Sequence, residues 1–166
     1  MPASDQGYRT DRFQVIPRSL IFVFNSKGQV LLLKGAQDKK IWAGSYNGIG
    51  GHVEAGEDIL TSAQRELLEE TGISGAGLRL CGQVIVDVDH LHGIALFVFK
   101  GLYAGGELKP SDEGDLEWID LADIEKLPLV EDLPVLLPRV SRYINGGPLF
   151  FGHYHYDDGK LVMSFH

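Results

Sequence analysis

Short apolar runs alternate with polar, glycine-rich breaks along this chain, and the period of the apolar positions changes several times. Ser19-Leu20-Ile21-Phe22-Val23-Phe24 and Val30-Leu31-Leu32-Leu33 flank Asn25-Ser26-Lys27-Gly28, which predicts a strand, a turn and a strand. Further β-type runs cover 78–89, 93–103 and 116–119. Within them Phe97, Val98 and Phe99 are consecutive apolar residues, as in a strand covered on both faces. One stretch has the helical period: Ile59, Leu60, Ala63, Leu67 and Leu68 form a single apolar stripe. Asp58 can cap its start and Gly72 can stop it. A helical turn is expected over Leu121–Lys126 and a second helix over 132–143. Pro134 fits the first turn of that helix, while Pro138 signals a late start or a kink. The chain closes on a hairpin, 149–156 and 161–165, around Asp157-Asp158-Gly159. Helices set among mostly β sequence predict an α/β or α+β fold with helices packed on a mixed sheet. The polar, aperiodic segment 1–17 reads as a tail or edge segment, and 18–166 as a single domain.

Composition narrows the function. At 166 residues and 44% hydrophobic content the chain can bury a core. A net charge of −8 argues against a nucleic-acid polymer as partner. It leaves room for a small anionic substrate, because a bound metal inverts the local field. The lone Cys81 forms no internal disulfide and suits a reducing compartment. No run approaches the roughly 20 apolar residues of a membrane span, and the N-terminal segment lacks the apolar core of a signal peptide. The expectation is a soluble, cytoplasmic protein with no membrane partner, as a monomer or a homodimer.

The chemistry concentrates in the helical stretch. Glu66 and Glu70 stand four apart, and Glu69 is three from Glu66, so three carboxylates crowd one helix edge. Like charges at that spacing repel, and a hard divalent cation held by oxygen ligands is the simplest compensation. A solvated acidic helix surface is the plain alternative. The carboxylates belong to a longer pattern: Gly51, five residues, Glu57, seven residues, then Arg65-Glu66-Leu67-Leu68-Glu69-Glu70-Thr71-Gly72-Ile73. At typical usage of roughly 5–7% per residue type, seven fixed positions coincide by chance less than about once in 10^8 starts.

This 23-residue pattern resembles the Nudix box with no position missing, so the chain is similar to MutT-like members of the Nudix hydrolase family. The resemblance implies an α/β/α sandwich with a mixed β-sheet. It also implies Mg2+-dependent (alternatively Mn2+-dependent) attack of water on a phosphoanhydride of a nucleotide. By the same resemblance Glu66, Glu69, Glu70 and the Gly50 carbonyl hold metal. A loop acid, Glu113, joins them, with Asp112 and Asp115 as competitors. Either Glu66 or Glu113 serves as general base. Glu57 and Arg65 read as an ion pair positioning the loop against the helix, with Gly51 and Gly72 structural.

Residues outside the box resemble enzymes that hydrolyse oxidised purine nucleoside triphosphates such as 8-oxo-dGTP. Tyr46-Asn47-Gly48-Ile49-Gly50-Gly51 is similar to their Trp-Asn-Gly-Phe-Gly-Gly segment, making Asn47 the reader of the base edge or a simple turn residue. Leu129-Val130-Glu131-Asp132 is similar to their Trp-Pro-Asp-Asp segment, so Glu131 and Asp132 become base-binding acids, although no aromatic replaces the Trp. Asp132 could instead cap the second helix. The run 150–156 resembles the closing Phe-His-Gly-Tyr-Phe segment and is expected to build core rather than site. Lys34 and Lys39 are alternative phosphate partners or, more simply, surface charge, and His52 stands where bacterial relatives carry Lys. The alternatives are hydrolysis of ADP-ribose or a dinucleoside polyphosphate, and a nucleotide-binding module without turnover.

Overall fold

The computed structural model describes residues 2–7, 9, 11–36, 42–109 and 112–166; Lys39 lies outside them. The elements run β1 (Gln14–Phe24), β2 (Val30–Gly35), β3 (Tyr46–Asn47), α1 (Ile59–Thr71), β4 (Arg79–Asp87) and β5 (His92–Leu102). They continue with β6 (Gly114–Ile119), α2 (Leu133–Arg142), β7 (Phe150–Asp157) and β8 (Lys160–Phe165). Short 3-10 turns lie at Ala3–Gln6 and Leu121–Lys126. The sheet order is β3-β2-β1-β5-β4-β7-β8, with β6 on the other edge of β2. β1 with β5 and β4 with β7 are parallel, and the remaining pairs are antiparallel. The mixed sheet of the sequence reading is therefore present.

Residues alternate across a strand, so β1 feeds two cores at once. Leu20 and Phe22 join Val84, Val98 and the α2 residues Leu133, Leu136, Leu137 and Val140. Ile21 and Val23 face the opposite way, onto Phe99 and the α1 residues Ala63 and Leu67. One helix on each face makes the α/β/α sandwich. Among the described residues no helix is long and apolar enough to cross a membrane.

Three local readings change. β1 begins at Gln14, inside the segment read as a tail or edge segment, because Gln14, Val15 and Ile16 pair with His92, Gly93 and Ile94. Phe13 packs where Gly93 has no side chain: a Cβ there would stand 2.6 Å from the Phe13 ring. α2 runs through Pro138 from Leu133 rather than starting late. Asp132 sits at its N-cap position but makes no side-chain capping bond.

The third change concerns α1. Its ends match the reading: Asp58 Oδ1 accepts from Leu60 N at 2.8 Å and Thr61 N at 2.9 Å, and Gly72 closes it at φ 75°. Its buried residues, however, are Ser62, Ala63, Leu67 and Thr71, while Leu60 and Leu68 are 41% and 52% exposed. Ser62 and Thr71 give their hydroxyls to the His52 and Leu67 carbonyls, so small polar residues fill the tight contact without orphaned groups. The same rotation turns Glu66 and Glu70 toward the sheet. Leu67→Ala is accordingly expected to lower stability by about 2–5 kcal/mol and Leu68→Ala by less than about 1 kcal/mol. The urea midpoint at unchanged m-value measures both; equal losses would mean that α1 presents the other stripe.

Candidate active site

β1 and β2 are paired only at Val23–Leu31 and Phe24–Val30. Beyond that point the edge of β2 is taken by β3, and the loop after β3 takes the edge of β1. Ile21 N and Ile49 O lie 2.7 Å apart, Ser19 N donates to Gly51 O at 2.9 Å, and Val53 N donates to Pro17 O at 3.1 Å. The loop is thus held between β1 and α1, where only glycine fits. Gly50 has φ 145°, and a Cβ would lie 2.2 Å from the Ser19 carbonyl oxygen. A Cβ on Gly51 would lie 2.4 Å from Glu66 Oε1. The parted strands leave a cleft of about 1040 Å3.

One end of the cleft is acidic. Glu66, Glu70, Glu113 and Gly50 line it. Arg65 organises this end from behind: Nε and Nη2 grip Glu57 at 2.7 and 3.0 Å, and Nη1 reaches Glu66 at 2.8 Å and Glu69 at 3.2 Å. Nη2 also donates to the His52 carbonyl at 3.1 Å, so one guanidinium ties the loop to the helix. The expected Glu57–Arg65 pair is present. Arg65 holds Glu57 below its ordinary range, helped by the Glu54 backbone N–H. Glu69 is 59% exposed and does not line the cleft. Among the described residues no three His, Cys, Asp or Glu side chains converge on one point as a ready-made metal site.

Glu70 is nevertheless poised for a cation. Burial first, and then the charges of Glu66, Glu113 and Glu69, push its pKa up to about 7 from 4.5, against the opposing Gly50 N–H at 3.4 Å. Three neighbouring carboxylates therefore act on Glu70, and together with burial they make its own charge unfavourable. Hard oxygen donors with excess negative charge suit a divalent metal ion.

Asn47, Glu131 and Asp132 line the same cleft. The Asn47 Oδ1 accepts from Gly48 N at 2.8 Å, and no described residue accepts from its NH2 group. Burial raises the Asp132 pKa, and neighbouring Glu131 adds to the effect. Lys34 does not line the cleft: its ammonium lies 5.4 Å from the centre of the Tyr46 ring. Other residues come in unforeseen. Arg18 lines the acidic end, its Nε 3.1 Å from His52 Nε2. Trp42, at φ 63°, reaches the cleft, as do Tyr154 and Tyr156 from β7. The run 150–156 thus contributes to the cleft as well as to core, and supplies aromatic rings that the 129–132 segment lacks. Their alternation along β7 was a legible signal; their neighbours across the sheet were not.

The comparisons with known proteins agree with this architecture. The NUDIX domain model matches residues 16–140. Oxidized purine nucleoside triphosphate hydrolase of Mus musculus is 30% identical over 139 residues, covering 81% of this chain and 84% of that protein. The protein of the same name from Danio rerio is 35% identical over 102 residues, covering 61% and 62%. Among solved structures, the MutT protein from Bacillus halodurans aligns with a TM-score of 0.76 at 30% identity, over 91% of this chain and 97% of that one. The chain belongs to the Nudix family and is a Nudix hydrolase.

Two outcomes follow from the acidic end. Gly51→Ala must displace the Glu66 carboxylate, so hydrolysis is expected to fall at least about tenfold, with the fold retained by circular dichroism. An unchanged rate would show that Glu66 need not sit where it does. The second outcome concerns pH. Because folding raises the Glu70 pKa, its contribution to stability is full below about 4.5 and is lost as pH rises toward about 7. In a chelator, wild type should therefore lose Tm relative to Glu70→Gln across that window; parallel curves would contradict the shift.

Proposed function

We propose that this chain hydrolyses a phosphoanhydride of a purine nucleoside triphosphate, preferring an oxidised purine such as 8-oxo-dGTP, to the monophosphate and pyrophosphate. The observation that carries the reading is that the α1 carboxylates Glu66 and Glu70 line one cleft together with Asn47 and Asp132. The identity with oxidized purine nucleoside triphosphate hydrolases supports the choice of base.

Nudix hydrolases use divalent metal ions, and the donor set here fits Mg2+, with Mn2+ as the substitute. We assign it to Glu66, Glu69, Glu70, Glu113 and the Gly50 carbonyl. When bound, such an ion offsets phosphate charge, polarises phosphorus and acidifies its water. The protein's own groups do the rest. Arg65 holds Glu66 in place, and Glu69, which is bound to Arg65 at 3.2 Å, would have to part from it to hold the ion. Glu66 and Glu113 are the two candidates to accept the proton of the attacking water. Arg18 offers the phosphates a cation where Lys34 is turned away. At the base end, the Asn47 NH2 donates to an acceptor on the base. Asp132, with its raised pKa, can donate as a carboxylic acid or accept as a carboxylate.

A Mg2+-dependent hydrolysis screen over the (d)NTPs, 8-oxo-dGTP, ADP-ribose and diadenosine polyphosphates tests the proposal. The highest kcat/KM is expected for 8-oxo-dGTP. Glu70→Gln should reduce it by about 10^2–10^3-fold, comparable to removing one strong transition-state contact. Equal rates across the triphosphates would remove the oxidised-purine preference. ADP-ribose or a dinucleoside polyphosphate as best substrate would replace the triphosphate. Binding without turnover would make the chain a nucleotide-binding module.

A further inference from the structure

Tyr154 of β7 belongs to the cleft wall and is only 2% exposed, yet its buried hydroxyl has no hydrogen-bond partner among the described residues. Its ring is fixed against Phe165, edge to face, with centroids 5.7 Å apart. The position of the oxygen is therefore set by packing and cannot drift to find a partner. The next tyrosine on the same face of β7 shows the contrast: the Tyr156 hydroxyl donates to Glu131 at 3.1 Å. A buried hydroxyl without a partner costs free energy, and a phenylalanine would fill the same space without that cost. Burial raises the Tyr154 pKa further, Asp132 adds to the rise and Arg139 opposes it, so the group remains a neutral phenol. It lies within electrostatic reach of Asp132, which lines the same cleft. A phenol can donate to a phosphate oxygen, but it both donates and accepts, which also suits the mixed edge of a nucleobase, and its neighbour here is Asp132.

We propose that the Tyr154 hydroxyl is a specificity-determining group that reads the base of the bound nucleotide, exchanging with the base edge the hydrogen bond it lacks in the free protein. This rests on the proposed function only in taking the Asn47–Asp132 end as the base site. The orphan hydroxyl is then a stability cost carried for recognition, and ligand binding relieves it.

Tyr154→Phe removes one oxygen and tests this directly. Tm of the free protein and calorimetric binding are measured for 8-oxo-dGMP, dGMP, ADP-ribose, diadenosine tetraphosphate and base-free inorganic tripolyphosphate, with Mg2+ present. The free variant is expected to melt at or above wild type. Its affinity for the nucleotide that wild type binds best should fall about tenfold, the worth of roughly 1.4 kcal/mol, while tripolyphosphate binds both proteins alike. A clear fall in Tm would show that the hydroxyl has a partner inside the protein, and would overturn the inference. Unchanged nucleotide affinity, or an equal loss for tripolyphosphate, would do so too. If wild type binds ADP-ribose or diadenosine tetraphosphate best, the triphosphate reading fails and Tyr154 is judged on that nucleotide by the same tenfold criterion. If no nucleotide binds, both fail.

Discussion

The parting of β1 from β2 after two paired residues is the constraint on which the rest depends. A strand that loses its neighbour must satisfy its backbone elsewhere, since buried N–H and C=O groups without partners are expensive. Here Ser19 and Ile21 take their bonds from the loop 49–51. That single substitution of partners brings Gly50 and Gly51 against both β1 and α1 and leaves a cleft between the separated strands. A larger residue at Gly50 would push the loop off the sheet edge, and one at Gly51 would displace the Glu66 carboxylate. The glycines are therefore a steric requirement of the site, and the open edge of β1 is its cause.

Charge is organised around the same junction. Arg65 is the cation beside Glu57, Glu66 and Glu69, and through the His52 carbonyl it also fastens the loop. Glu70 lies beyond its reach and responds by holding its proton to about 7. The acidic edge is thus neutralised on one side by a built-in guanidinium and left in deficit on the other. A surface evolved only for solubility would disperse these charges; this one turns Glu66 and Glu70 into a cleft.

Much of this was legible in the chain. The caps Asp58 and Gly72, the turn at Asn25–Gly28 and the closing hairpin are local, and local chemistry decided them. The box was legible because its spacing encodes one helix and one loop. What escaped depended on contacts between distant segments. The rotation of α1 was set by Ser62 reaching the His52 carbonyl, so Leu60 and Leu68 read as core and are exposed. Tyr154 and Tyr156 read as core because nothing along β7 shows that it lies beside the 129–132 segment. Lys34 read as a phosphate partner, but β2 pairing directs it over Tyr46. The pairing of β1 residues 14–17 with β5 escaped for the same reason, a partner some eighty positions away.

If one cleft holds the whole of one nucleotide, backbone amide shifts on titrating 8-oxo-dGMP with Mg2+ into the isotopically labelled protein will show it. Gly50 and Gly51 beside the α1 carboxylates, and Asn47 and Asp132 on the same cleft wall, are expected to shift along one saturation curve. Shifts confined to one of these pairs, or two pairs saturating at different concentrations, would mean that the cleft does not bind the nucleotide as a unit.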